Sequence, residues 1–233
     1  MLDPRGRVAM VSGAARGIGR RIAERLLASG FSVSAGVRAS APGLMASERL
    51  MLHRYEAESL DSARDWVAAT VARFGRLDAL VNAAGISSPR APVMAEDEGP
   101  LDRMFAVNVK GPLRLIRFAM PHLREGGSGR VVNIASLSGK RVVNENVGYA
   151  ISKFALVALT AEVRRQGWEH GIRATALCPG FVATDMTQHV TALPREAMTQ
   201  AADLAVLAET VMLLPNNASV AELLVNCRHE AML

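Results

Sequence analysis

Two hydrophobic rhythms alternate along the whole chain, and this alternation limits its possible folds more than any other feature. Short continuous apolar runs recur at residues 7–12 (RVAMVS), 31–37 (FSVSAGV), 50–57 (LMLHRYEA), 77–85 (LDALVNAAG), 129–136 (GRVVNIAS), 172–178 (IRATALC) and 221–226 (AELLVN). Longer stretches with helical spacing lie between them. Ile18, Ile22 and Leu26 recur every fourth residue in 17–30, and Trp66, Val67, Thr70, Val71 and Phe74 line one side of 62–75. Further helices are expected over 100–125, 147–171 and 202–214, with Gly30 and Gly171 as stops and a bend near Gly111-Pro112. Strands that are apolar throughout are buried on both faces, as happens when helices cover a sheet above and below. The pattern predicts one doubly wound α/β domain over 1–233, with about seven parallel strands and about six helices on both faces. No linker, repeat or low-complexity tract interrupts it.

Composition narrows the function. Half of the 233 residues are hydrophobic, enough for a sizeable core. The net charge of +5 comes from scattered Arg, without a basic cluster interleaved with aromatics, so a nucleic-acid surface is not expected. No apolar stretch approaches the ~18 residues of a membrane span. The N-terminus runs into a strand too early for a signal peptide, which points to a cytoplasmic protein. Cys178 and Cys227 stand far apart with no metal-ligand spacing, so they read as buried free thiols and no metal is expected.

The first βα turn is SGAARGIG, residues 12–19. Gly13 permits a tight turn. Gly17 and Gly19, on either side of Ile18, let a phosphate and the helix backbone approach closely, facing the positive end of the helix dipole. Glycine spacing alone also fits an unliganded turn; the strand before and the helix after strengthen the phosphate reading.

A second feature lies in VGYAISKFAL, residues 147–156. Lys153 is one of three lysines among 27 basic residues, and it stands one helical turn after Tyr149, one of two tyrosines. On a helix the two share a face. Taken alone, the pair also fits a packed Tyr beside a solvated Lys.

In order along the chain, SGAARGIG, NAAG (82–85), Ser136, YAISK (149–153) and PGFVATDM (179–186) resemble the motifs of the short-chain dehydrogenase/reductase family. The resemblance runs from about residue 6 to 186, and more loosely to 226. It implies a Rossmann-type fold and hydride transfer between a nicotinamide cofactor and a carbonyl or secondary alcohol. Ser136 would orient the substrate oxygen, with Ser138 as its rival and the spacing to Tyr149 favouring Ser136. Tyr149 would act as general acid/base, and Lys153 would hold the nicotinamide ribose and acidify the phenol. Asn108 would hold a water that links Lys153 to solvent; a polar residue pinning a helix bend is its other reading. A free Tyr has a pKa of about 10, and lowering it by ~3 units takes ~4 kcal/mol of preferential phenolate stabilisation, which a close Lys together with the positively charged oxidised nicotinamide would supply.

For the cofactor, the resemblance assigns Gly13, Arg16, Gly17, Ile18 and Gly19 at the first turn and Arg38 after the second strand. It assigns Asn82 on the adenine side, with Ala83 and Gly85 also at the cofactor, Tyr149 and Lys153 at the ribose, and Pro179, Gly180, Val182 and Thr184 against the nicotinamide. Val37 stands where the family places an acid that holds ribose hydroxyls. Arg16 and Arg38 without that acid suit a 2′-phosphate, so NADP(H) is preferred and NAD(H) remains possible. Glu56 is placed to border the adenine pocket.

Departures from the family pattern are NAAG in place of NNAG, too few residues between Arg38 and Glu56 for a full helix, and a short segment after Thr184. A small substrate lid is expected over 186–200, with 86–98 as the other wall of the pocket. Helices 100–125 and 147–169 are the expected surface of a homodimer or homotetramer, with Met104, Leu115, Phe118, Phe154 and Leu156 as candidate apolar contacts, though core packing explains many of these equally well. The leading reading is an NADPH-dependent carbonyl reductase acting on a small molecule. An NAD-dependent catabolic alcohol dehydrogenase and a non-catalytic cofactor sensor or scaffold are the alternatives.

Overall fold

The computed structural model describes residues 1–87, 93–143 and 145–230. Its strands are β1 (Val8–Ser12), β2 (Ser32–Val37), β3 (Leu50–Arg54), β4 (Ala79–Asn82), β5 (Arg130–Ile134), β6 (Arg173–Pro179) and β7 (Glu222–Val225). The α-helices are α1 (Gly17–Ser29), α2 (Leu60–Phe74), α3 (Gly99–Phe105), α4 (Gly111–Glu125), α5 (Val147–Gly167) and α6 (Ala201–Leu213). The strands form one sheet in the order β3-β2-β1-β4-β5-β6-β7, with every pair parallel. This is the doubly wound Rossmann-type arrangement that the alternation predicts. Strand order reverses between β1 and β4, which opens a crevice at their C-terminal ends.

Successive residues of each strand feed opposite layers. Ala9 and Val11 of β1 pack with Ile22 and Leu26 of α1 and Leu204 and Met212 of α6. Val8 and Met10 pack with Trp66 of α2, Leu115 and Leu123 of α4, and Val163 of α5. Burying each large apolar side chain contributes roughly 1.5–3 kcal/mol, so both layers are held by the same strands. Trp66 also donates from its indole N–H to Ser34 Oγ at 2.8 Å and lies against Gly36, where an added Cβ would meet the ring at 2.4 Å. Gly30 and Gly171 end their helical segments in the left-handed region, at φ 110° and 73°.

Two segments refine the expectation. Residues 38–49 contain no helix, in keeping with the short spacing there. The stretch 100–125 is not one bent helix: a π-helical turn, Ala106–Lys110, separates α3 from α4. Pro112 lacks the N–H that would reach back four residues to Asn108. Gly111 instead donates to the Ala106 carbonyl, five residues back, and the extra residue swells the helix at Asn108. Among the described residues no helix is long and apolar enough to cross a membrane.

Candidate active site

Ser136 follows β5 by two residues and opens the short turn Leu137–Gly139. Its Oγ accepts from the Ser138 N–H at 3.1 Å and donates to the Pro179 carbonyl at 3.5 Å, and the hydroxyl lies near enough to the Tyr149 phenol to act on its titration. Ser138, the rival position, thus contributes its backbone to hold Ser136. Asn146 caps α5 by accepting from the Tyr149 N–H at 3.2 Å, which fixes Tyr149 in the first turn. One turn later Lys153 is 5% exposed, and its Nζ donates to the Ile134 carbonyl at 2.8 Å. That ammonium lies 5.5 Å from the centre of the Tyr149 ring. Farther along α5, Thr160 Oγ1 lies 2.8 Å from Asn133 Nδ2, so a second polar contact ties the helix to β5.

Asn108 sits fully buried in the π-helical turn. Its Oδ1 accepts from Ile86 N–H at 2.9 Å, and its Nδ2 donates to the Ile86 carbonyl at 2.9 Å and to Ser152 Oγ at 3.0 Å. Both amide hydrogens are therefore committed to protein atoms, and the side chain pins the loop after β4 to α5. Gly85 lies between Asn108 and Lys153: an added Cβ would stand 3.4 Å from Asn108 Oδ1 and 3.7 Å from Lys153 Nζ. Ser152, absent from the sequence-based set, completes this tie by donating to the Tyr149 carbonyl at 2.8 Å. Its position between two site residues carries no local signal.

The electrostatics depart from the expectation built on the Tyr–Lys spacing. Burial raises the Tyr149 pKa above its ordinary value, and only the Ser136 hydrogen bond pulls it back. Burial also lowers Lys153, to about 8, with Cys178 acting in the opposite direction. Desolvation disfavours each charged form, so in the protein alone the phenol is held neutral and is not acidified. Cys178 is buried and its thiol is pushed up to about 11, first by desolvation. Cys227 is only partly buried, unlike the expected pair of buried thiols.

The phosphate-binding turn is built from backbone. Gly13 has φ +68°, and a Cβ there would lie 2.8 Å from the Ala84 backbone; one at Gly19 would lie 2.5 Å from the Gly13 carbonyl. Ser12 Oγ accepts from Ala83 and Ala84 N–H, each at 3.1 Å, and so fastens the NAAG segment to β1. Arg16 precedes α1 without capping it, no acid stands in the first turn, and Ile18 packs against the core. Across the groove, the Thr184 methyl would lie 3.4 Å from a Cβ at Gly17. This side-chain-free cradle at a helix start fits a pyrophosphate. Pro179 and Val182 are buried along the same loop, and Gly180 lies against Asn226. Asn82 donates sideways to Asn133 Oδ1 at 2.7 Å, so its amide ties the sheet.

Arg16 is paired with Asp185 at 2.9 Å, a contact between residues 169 apart in sequence. Arg38 is exposed and lines a cavity of about 500 Å³. Of the expected pocket walls, 186–200 holds the short turn Arg195–Ala197, while residues 88–92 of the 86–98 stretch lie outside the described residues. Among the candidate assembly residues, Met104, Leu115 and Leu156 belong to the core; Phe154 is exposed, together with Leu113 and Ile151. α5 is apolar on two sides and the core takes one of them, while α4 exposes Leu113 among its large apolar side chains.

Residues 7–194 match the family model described as short chain dehydrogenase. Over 230 residues the chain is 41% identical to an agropine synthesis reductase of Rhizobium rhizogenes, covering 97% of this chain and 53% of that protein. It thus spans about half the length of that relative. It is 34% identical to a levodione reductase of Leifsonia aquatica, covering 78% of this chain and 72% of that one. A solved structure, 3-ketoacyl-(acyl-carrier-protein) reductase from Brucella melitensis complexed with NADH, superposes with a TM-score of 0.88. That match has 24% identity and covers 96% and 98% of the two chains.

Proposed function

The chain belongs to the short-chain dehydrogenase family of oxidoreductases, and from that premise we propose that it is an NADP(H)-preferring carbonyl reductase with Tyr149 as its acid/base group. The observation that carries this reading is the convergence of Ser136, Tyr149 and Lys153 at one end of the sheet. The Ser136 hydroxyl is near enough to the phenol to pull its pKa down, and the Lys153 ammonium lies 5.5 Å from the centre of the same ring.

Bound in the crevice, a nicotinamide supplies or accepts the hydride. The turn Gly13–Gly19 would hold the pyrophosphate, Arg16 and Arg38 the 2′-phosphate, and Ala83 the adenine side, with Gly85 beside Lys153. Lys153 would hold the nicotinamide ribose, and the loop from Pro179 to Thr184 would face the ring. Ser136 donates a hydrogen bond to the substrate oxygen and orients it. Tyr149 gives that oxygen a proton as negative charge develops on it. A phenol kept neutral by burial suits this reductive direction; oxidation requires that it first lose its proton. Asn108 holds the loop at Ile86 and Ser152 of α5 in register with the phenol. Residues 186–200 form a small lid, and Leu113, Ile151 and Phe154 support assembly through α4 and α5, which light scattering would test.

The decisive experiment is a panel of carbonyls and alcohols followed by nicotinamide absorbance with each cofactor. Reduction of a ketone or aldehyde with higher kcat/KM for NADPH supports the reading. Turnover confined to NAD-linked alcohol oxidation would favour the catabolic alternative, and no turnover at all would favour a sensor. Arg38→Asp is expected to shift preference toward NAD(H).

A further inference from the structure

The register of the sheet brings a third arginine to the cofactor's far end. β2 and β3 pair in parallel with Val37 opposite Arg54. Register partners on neighbouring strands point to the same face, about 4.8 Å apart. Arg54 therefore stands beside the position where an acid would hold ribose hydroxyls, and Val37 puts a buried apolar side chain there. Because residues 38–49 form no helix, the chain loops around this corner. It leaves a cavity of about 500 Å³ whose lining includes Arg38, Ser40, His53 and Arg54.

The partners of these cations differ. Among the described residues, Arg38 makes no ion pair. Arg54 pairs with Glu56 at 2.6 Å, with side chains 78% and 48% exposed. An ion pair this open to water is weak, while a phosphate offers three oxygens to a guanidinium fork.

We infer that Arg54 is a specificity-determining residue, a third guanidinium for the 2′-phosphate beside Arg16 and Arg38, with Glu56 occupying it in the free protein. The inference rests on the NADP(H) preference proposed above. Ser40 adds a hydroxyl donor on the same wall. On this account, NADP(H) binding exchanges the Glu56 carboxylate for a phosphate ester, and NAD(H) leaves the pair intact.

The test uses the full chain and measures binding without turnover. NADPH and NADH are titrated by nicotinamide fluorescence, and 2′,5′-ADP and 5′-AMP by calorimetry. Arg54→Gln is expected to weaken NADPH and 2′,5′-ADP by about tenfold while NADH and 5′-AMP stay within about twofold. Glu56→Gln is expected to tighten NADPH relative to NADH. Equal losses for both nucleotides in Arg54→Gln would overturn the inference, as would an unchanged NADPH affinity. If Arg38→Asp shifts preference and Arg54→Gln does not, this inference alone fails. If the parent protein does not distinguish 2′,5′-ADP from 5′-AMP, the NADP(H) reading fails with it.

Discussion

At the β5–α5 end of the cleft, Lys153 is 5% exposed and its ammonium is fixed on the Ile134 carbonyl; at the β2–β3 end, Arg38 and Arg54 stand in open water. One end has its charges placed before any ligand arrives. The other has exposed cations and a weak internal pair that a ligand would reorganise. Burial decides the difference, because desolvation shifts Lys153 to about 8 while exposed ion pairs are screened. Catalytic groups gain from such placement, since geometry fixed in advance costs nothing at the moment of reaction.

Changes at the buried end should therefore outweigh those at the exposed end. Tyr149→Phe is expected to lower kcat by about 10³-fold with cofactor affinity held within about twofold. Steady-state rates and cofactor titration together check this, and a retained rate would remove the phenol from the chemistry. Lys153→Met probes the same burial through stability. With its pKa lowered from 10.5 to about 8, Lys153 is charged in the unfolded chain and neutral in the folded one between those values. The unfolded state binds more protons there, so this group makes stability rise with pH across that window. The parent should gain as much as about 3 kcal/mol on the Met variant between pH 8 and 10.5. Parallel melting curves would contradict it.

At the nucleotide end, Gly13→Ala meets both a left-handed φ and the Ala84 backbone at 2.8 Å. A loss of about 2 kcal/mol in denaturant unfolding is expected, with weakened cofactor binding. Asp185→Asn should change least. Its pair with Arg16 has side chains 62% and 72% exposed, so stability should move by less than about 1 kcal/mol. A larger effect there would erase the contrast between the two ends.

What the sequence disclosed follows the same division. Continuous apolar runs reveal parallel strands because both faces are buried, and Gly30 and Gly171 mark helix stops because the left-handed region favours glycine. Gly13, Gly17 and Gly19, and the Tyr149–Lys153 spacing, are local features that can be read along one strand–turn–helix or one helix. The π-helical turn at Asn108 was not legible, because the missing N–H of Pro112 reads equally as a bend. Nor was the direction of the Tyr149 shift, since desolvation depends on the layers around the ring. Arg16–Asp185 and Val37–Arg54 are pairings of distant segments, set by loop path and strand register. The assembly residues stayed open between partner and core for a related reason: apolar spacing does not say which helix face the core takes, and Met104, Leu115 and Leu156 go inward.

The reversal of strand order between β1 and β4 divides the chain as well as the sheet. β1, β2 and β3 all precede Gly75, and β4 to β7 all follow Arg76, at an exposed connection. The wall with the glycine turn is thus one contiguous fragment and the wall with the phenol is another. They are stitched by β1–β4 pairing and by α1 against α6, including the Arg25–Glu209 bridge at 2.5 Å. A polypeptide scissile at that connection would yield two pieces, each useless alone, whose reunion alone rebuilds the crevice. Restored turnover on mixing would then report on sheet closure itself.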